Sequence, residues 1–160
     1  MTATTQAHNL REDARSLVEQ CAGGHSRRAA RLITQFLDRQ MAETGLGVAQ
    51  LGLMAQIAAM SDDTLSALAQ RTGLEQSTLS RNLRTLESEG LVEIGVAGTD
   101  LRRRMVWLTE SGVRRLEAAI PVWREAHAKL ASRFEPDLAR RLADAAEALV
   151  AREESGVERR

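Results

Sequence analysis

The chain has 160 residues, 43% of them hydrophobic, enough for an apolar core in one compact unit or in a small unit with long helical extensions. Its 22 lysines and arginines balance 22 aspartates and glutamates, which excludes a global positive field, so any attraction to nucleic acid rests on locally placed cations. The lone cysteine, Cys21, excludes an internal disulfide framework, and the longest apolar-looking stretch, Val48 to Met60, is too short to span a bilayer and holds Gln50, Gly52 and Gln56.

Residues 1–9, opening MTATTQAH, are small and polar and are expected to form a disordered tail. No charged-then-apolar leader is seen there, so the expected location is cytoplasmic, without a membrane partner. Residues 10–20 suit a helix that Gly23-Gly24 should interrupt. From Ser26, the run SRRAARLITQFLDRQMAE puts Ala29, Leu32, Ile33, Phe36 and Leu37 on one face at helical spacing, and Gly45 and Gly47 end it. A helix over about 48–60 should turn Leu51, Met54, Ile57 and Ala58 inward. Ser61, Asp62 and Asp63 then read as a helix start, because their side chains accept bonds from unpaired helix N–H groups.

A short helix, TLSALAQR, follows, then a Thr72-Gly73 turn and a further helix from about Gln76 to Ser88. Gly90 is placed to end that helix in the left-handed conformation. The segments LVEI, GVAGTDL and RRRMVWL read as a β-hairpin whose return strand is rich in arginine. Thr109 should cap a helix over about 110–131, with Glu110 in the first turn, where the helix dipole favours an anion. Val113, Leu116, Ile120, Trp123, His127 and Leu130 form a narrow seam along it, and Pro121 should kink it. Pro136 suits the first turn of a last helix with the seam Leu138, Leu142, Ala145 and Leu149. Residues 153–160 are expected to fray. The fold class is mainly α with a small two-stranded β-wing. Helices over 10–60 and 110–152 flank a winged helix-turn-helix lobe over 61–109.

The strongest functional pattern is residues 64–92, TLSALAQRTGLEQSTLSRNLRTLESEGLV. Two helices joined by a tight glycine-containing turn describe a helix-turn-helix. Leu65, Leu68 and Ala69 face inward on the first helix, and Leu79, Leu83 and Leu86 are the buried stripe of the second. Gln76, Ser77, Thr78, Ser80, Arg81, Arg84 and Thr85 remain for solvent. Hydroxyls reach phosphates and base edges, and arginine's planar fork pairs with guanine O6 and N7, so this face suits a DNA major groove. A plain solvated helix is the competing reading, and the order helix, turn, helix, hairpin weakens it. Arg102, Arg103 and Arg104 follow the glycine loop Gly95–Leu101 at once and suit a minor groove, whose negative potential attracts arginine. A strand edge guarded by charge accounts for one of the three more easily than for all. Residues 61–112 hold six arginines against eight acids, so non-specific DNA affinity should be modest.

These segments, with Asp100-x-Arg102 and Leu108-Thr109-Glu110-Ser111-Gly112, resemble the MarR (multiple antibiotic resistance regulator) family over about residues 26–150. The resemblance implies a winged-helix homodimer held by its N-terminal and C-terminal helices, regulating transcription on pseudo-palindromic double-stranded operator DNA. It implies recognition-helix contacts from Ser77, Thr78, Ser80, Arg81 and Arg84, and a wing arginine at Arg102 oriented by Asp100. The family pattern often has a basic residue or proline just before Asp100, where this chain has Gly98-Thr99. It further implies repression relieved by a small aromatic or other organic acid, with His25, Arg28 and Arg31 as candidate carboxylate partners.

Other residues carry competing readings. Cys21 is either a thiol sensor, its thiolate favoured if Arg27 and Arg28 approach, or an inert small hydrophobe. Cys21 and His25 are four apart, as a metal site on one helix face requires, but the two glycines between them weaken that helix. No metal and no cofactor are expected. His127 is a hydrogen-bonded core histidine, a ligand contact or a pH switch, and Trp107 and Trp123 are expected to be packing anchors. An enzyme is not expected: there is no phosphate loop or nucleophile motif, and Asp62-Asp63 reads as a helix cap. Two alternatives to an organic-acid-responsive regulator stay open, a redox-sensing regulator working through Cys21 and a winged-helix protein-interaction module without DNA binding.

Overall fold

The computed structural model describes residues 3–60, 64–96, 104–135 and 137–157. Helix α1, Ala3–Gln20, begins inside the stretch expected to be a disordered tail, which holds the good helix formers Ala3, Gln6 and Ala7. Helix α2, Ala22–Met41, follows after a break at Cys21, not at the two glycines. The backbone of Cys21 is extended, and its Sγ accepts the Gly24 N–H at 3.3 Å. Gly23 and Gly24 therefore sit in the first turn of α2. There the N–H groups need outside partners in any case, and the sulfur supplies one.

A short 3-10 helix, Ala42–Thr44, and Gly45 at φ 69° turn the chain into α3, Val48–Ala59. Gly47 has no side chain to cap α3, and Asp38 from α2 does so instead, accepting the Val48 N–H at 2.8 Å. Helix α3 lies at the centre of the fold, against α2, α4, Leu65–Thr72, the strand β2, Arg104–Leu108, and α6, Glu110–Ala131. Packed from several sides, it buries Leu53 as well as Leu51, Met54 and Ile57. Ala58, expected inward, is exposed.

Ser61, Asp62 and Asp63 lie outside the described residues; the cap seen on α4 is Thr64, whose hydroxyl accepts the Ala67 N–H at 3.2 Å. Gly73, at φ 60°, turns the chain toward α5, Gln76–Ser88. Strand β1, Val92–Val96, pairs antiparallel with β2 from Val92↔Leu108 to Val96↔Arg104, and Thr64 bridges to Met105 at the outer edge. Gly95 and Val96 are thus strand residues, although the sequence placed them in the loop. The indole of Trp107 lies over Gly95, where a Cβ would come within 2.7 Å of Cη2, so the glycine serves a close approach and not a turn.

Thr109 caps α6, its hydroxyl accepting the Gly112 N–H at 2.9 Å, and Pro121 does not end the helix. Gly112, Leu116, Ala119 and Ala126 are its buried residues. Small residues let α6 approach α2 and α3 closely, so the buried line is offset from the expected seam. Leu116 is buried and Ile120, His127 and Leu130 half-buried, but Val113 and Trp123 are exposed. Neither tryptophan lies in the core: Trp107 and Trp123 are 39% and 37% exposed, and each packs at the surface, Trp107 on Gly95 and Trp123 on His127. The last helix, α7, is Leu138–Val157 and runs well into the stretch expected to fray; Pro136 lies outside the described residues. Leu138, Leu142 and Leu149 on α7 and Leu10, Leu17 and Val18 on α1 are all 43–70% exposed. No helix among the described residues is long and apolar enough to cross a membrane.

Candidate nucleic-acid interface

The inner face of α5 is fixed first. Leu79, Leu83 and Leu86, at spacings of four and three, are at most 4% exposed and join the main core with Leu68 of α4 and Leu91. At 3.6 residues per turn the opposite side of the helix carries Ser77, Arg81, Arg84 and Ser88. Together with Ser80 and Thr85 these residues line one shallow concavity along the length of α5. Gln76, Ser77, Thr78, Arg81 and Arg84 are exposed, and Ser80 is half-buried beside a second groove rimmed by Thr64, Ser66 and Arg104.

Neither Arg81 nor Arg84 is engaged by a described residue. The ion pairs among the described residues belong to α6, α7 and the turn between them: Glu110–Arg114, Glu125–Lys129, Glu135–Arg141, and Arg140 with Asp137 and Asp144. Two guanidinium groups one turn apart without a described partner, on a helix locked from behind, can take phosphate oxygens or the acceptor edge of guanine. The Thr85 hydroxyl donates to the Arg81 carbonyl at 3.2 Å and that of Ser88 to the Thr85 carbonyl at 2.8 Å, so both turn acceptor lone pairs outward. Glu75, at the start of α5, makes no side-chain cap, which leaves first-turn N–H groups facing out, where an anion is favoured.

On the wing, Arg104 is exposed at the start of β2, while Asp100, Arg102 and Arg103 lie outside the described residues. The hairpin is stiffened on its outer face by Trp107, whose Nε1–H donates to Glu93 at 3.0 Å. The candidate sensor residues are set apart from this interface. Cys21 is half-buried as the cap of α2, and the exposed His25 donates Nε2–H to the Glu19 carbonyl at 2.8 Å. Arg28 and Arg31 are exposed on α2. His127 is half-buried; its Nδ1 lies 3.1 Å from the Trp123 carbonyl, and its ring leans against that of Trp123, tilted by 40° with centroids 4.2 Å apart. Among the described residues, no three His, Cys, Asp or Glu side chains gather to hold a metal. The Glu125 carboxyl is held below its usual range by the hydrogen bond and charge of Lys129, on an exposed face of α6 far in sequence from α5. Ser88 was not singled out from the sequence, although its place eleven residues after Ser77 puts it on the same strip.

The family description "MarR family" matches residues 44–103, from the end of the 3-10 helix into the wing. The solved structure of the M. tuberculosis transcriptional regulator MosR in complex with DNA is 36% identical, with a TM-score of 0.73, and the match covers 82% of this chain and 98% of MosR. The transcriptional regulator HosA of Escherichia coli O127:H6 is 38% identical over 69 residues, 36% of this chain and 51% of HosA. The phenylalanine–tRNA ligase alpha subunit of Pyrococcus horikoshii is 34% identical over 76 residues, 48% of this chain but 14% of that subunit. The chain thus spans about half of the one curated relative and a small part of the other, and the likeness to the ligase is local. A mainly helical chain with a two-stranded wing, an outward-facing α5 and a near-complete match to MosR belongs to the MarR family of winged helix-turn-helix transcriptional regulators.

Proposed function

We propose that this chain is a homodimeric repressor that reads a pseudo-palindromic operator through α5 and the wing. The observation that carries the reading is the outer strip of α5, where Arg81 and Arg84 stand without described partners between hydroxyl side chains while the opposite face is locked into the core. Gln76, Ser77, Thr78 and Ser80 extend the contact toward the start of α5, and Arg102, Arg103 and Arg104, with Asp100 orienting Arg102, are its minor-groove arm. The exposed leucines of α1 and α7, with Val113 and Trp123 on α6, support a two-fold dimer, because together they leave more apolar surface than a lone chain of this size tolerates.

Relief of repression by a small organic acid belongs to the same proposal, with His25, Arg28, Arg31 and His127 as candidate contacts on the helices that carry the lobes. The test begins with capture of genomic fragments at low salt, followed by footprinting and a salt titration. DNA binding should weaken steeply as salt rises, because neutralised phosphates release counterions. A protein-interaction module would give no footprint at any salt. Gel shifts across a panel of aromatic acids, and with peroxide on the parent and Cys21→Ser proteins, then separate an acid effector from a thiol switch.

A further inference from the structure

The end of α5 and the start of α6 are closed by the same few atoms. Helix α5 ends with Gly90 at φ 68°, the Gly90 N–H donating to the Glu87 carbonyl at 3.0 Å and the Leu91 N–H to the Leu86 carbonyl at 2.9 Å. Past this two-bond closure stand the carbonyls of Gly90 and Leu91. Both are taken by Thr109. Its hydroxyl donates to Gly90 at 2.7 Å and its N–H to Leu91 at 3.1 Å. The same hydroxyl oxygen accepts the Gly112 N–H and so caps α6. Gly112 presses on the turn so closely that a Cβ would collide with the Leu91 carbonyl oxygen. Leu91 and the neighbouring Val92 and Val106 are at most 2% exposed and Gly112 is buried, so the joint stands on the core, with Thr109 half-buried and Gly90 exposed at its outer side.

We infer that Thr109 and Gly112 are positioning residues that fix the angle between the DNA-reading helix and the long helix α6, and thereby the half-site spacing that the dimer accepts. The inference rests on the DNA-binding dimer proposed above. The joint is made of backbone groups and one short side chain, so it contains no long flexible arm to absorb a change of angle. Helix α5, with 13 residues, is about 20 Å long at 1.5 Å per residue, so a tilt of about 10° at the joint moves its far end by about 3 Å. That displacement is close to the rise of about 3.4 Å between successive base pairs. A capped helix start without this role would add stability to the chain but would not choose among operators.

The experiment uses the full-length parent with Thr109→Ser, Thr109→Val and Gly112→Ala, and two kinds of DNA probe. One carries a single half-site; the other carries two half-sites whose separation is varied one base pair at a time. Thr109→Val and Gly112→Ala are expected to bind the single half-site within about twofold of the parent, to lose about tenfold at the parent's best spacing, and to shift or flatten the spacing profile. Thr109→Ser, which keeps the hydroxyl, should retain the parent's profile. Equal losses on both probes with an unchanged profile would overturn the inference and leave Thr109 as a cap alone. If circular dichroism shows that Thr109→Val and Gly112→Ala do not fold, the parent's own profile decides. A fall of about tenfold for one added or removed base pair supports a rigid joint, and a flat profile overturns it. A parent that binds neither probe overturns the DNA-binding reading, and the role of the joint with it.

Discussion

Arg81 and Arg84 owe their availability to what surrounds them. The described acids of the lobe stand elsewhere, Glu75 at the start of α5, Glu87 and Glu89 at its end, and Glu93 at the Trp107 indole. Replacing Arg81 with Ala should cost about 1–3 kcal/mol at the operator and relax base preference at one position of each half-site. Competition gel shifts with single-base operator variants read both effects; a variant with the parent's affinity and preference would remove Arg81 from the groove. At this scale the sequence was most legible where chemistry and periodicity agree, as in the polar strip of α5. It was least legible where the reason for a residue lies in a distant neighbour. Gly95 looked like a loop glycine because the Trp107 ring that requires it arrives from the opposite strand. Leu53 is buried and Ala58, expected inward, is exposed because α3 is packed from more sides than one stripe can show.

Among the elements, α4, α5 and α6 begin and end within a residue or so of their expected bounds, since Thr64, Gly73, Gly90 and Thr109 punctuate them with capping side chains and left-handed glycines. The N-terminal helices were harder to read. A glycine pair normally weakens a helix, but here it falls in a first turn whose N–H groups need outside acceptors, and Cys21 provides one. This gives Cys21 a structural role that can be measured. Replacing it with Ala removes the cap and should lower stability by up to about 1 kcal/mol, whereas Ser, a better cap, should match or exceed the parent. Thermal unfolding of the three proteins checks this; an alanine variant as stable as the parent would mean the sulfur contributes nothing to α2. The seam of α6 was half legible, because its spacing shows that the helix is amphipathic on both shoulders but not which shoulder its own chain covers.

For the whole molecule, equal numbers of positive and negative side chains give no net field to draw DNA, so the proposed operator reading rests on where a dimer would hold its two lobes. Among the described residues, the apolar side chains of α1 and α7 stay largely exposed; Leu142 and Leu149 are 50% and 65% exposed. Leu142→Asp should place an unpaired charge in the proposed dimer interface and give monomers or aggregates by sedimentation. A variant that sediments as the parent dimer would move the interface elsewhere. The dimer and the operator are tested together by footprinting the parent protein on the genomic fragments it retains at low salt. The account predicts two protected half-sites related by a two-fold axis, with centres about 10 base pairs, or about 34 Å, apart on one side of the duplex. A single protected half-site, half-sites on opposite sides of the duplex, or no protection at any salt concentration would contradict it.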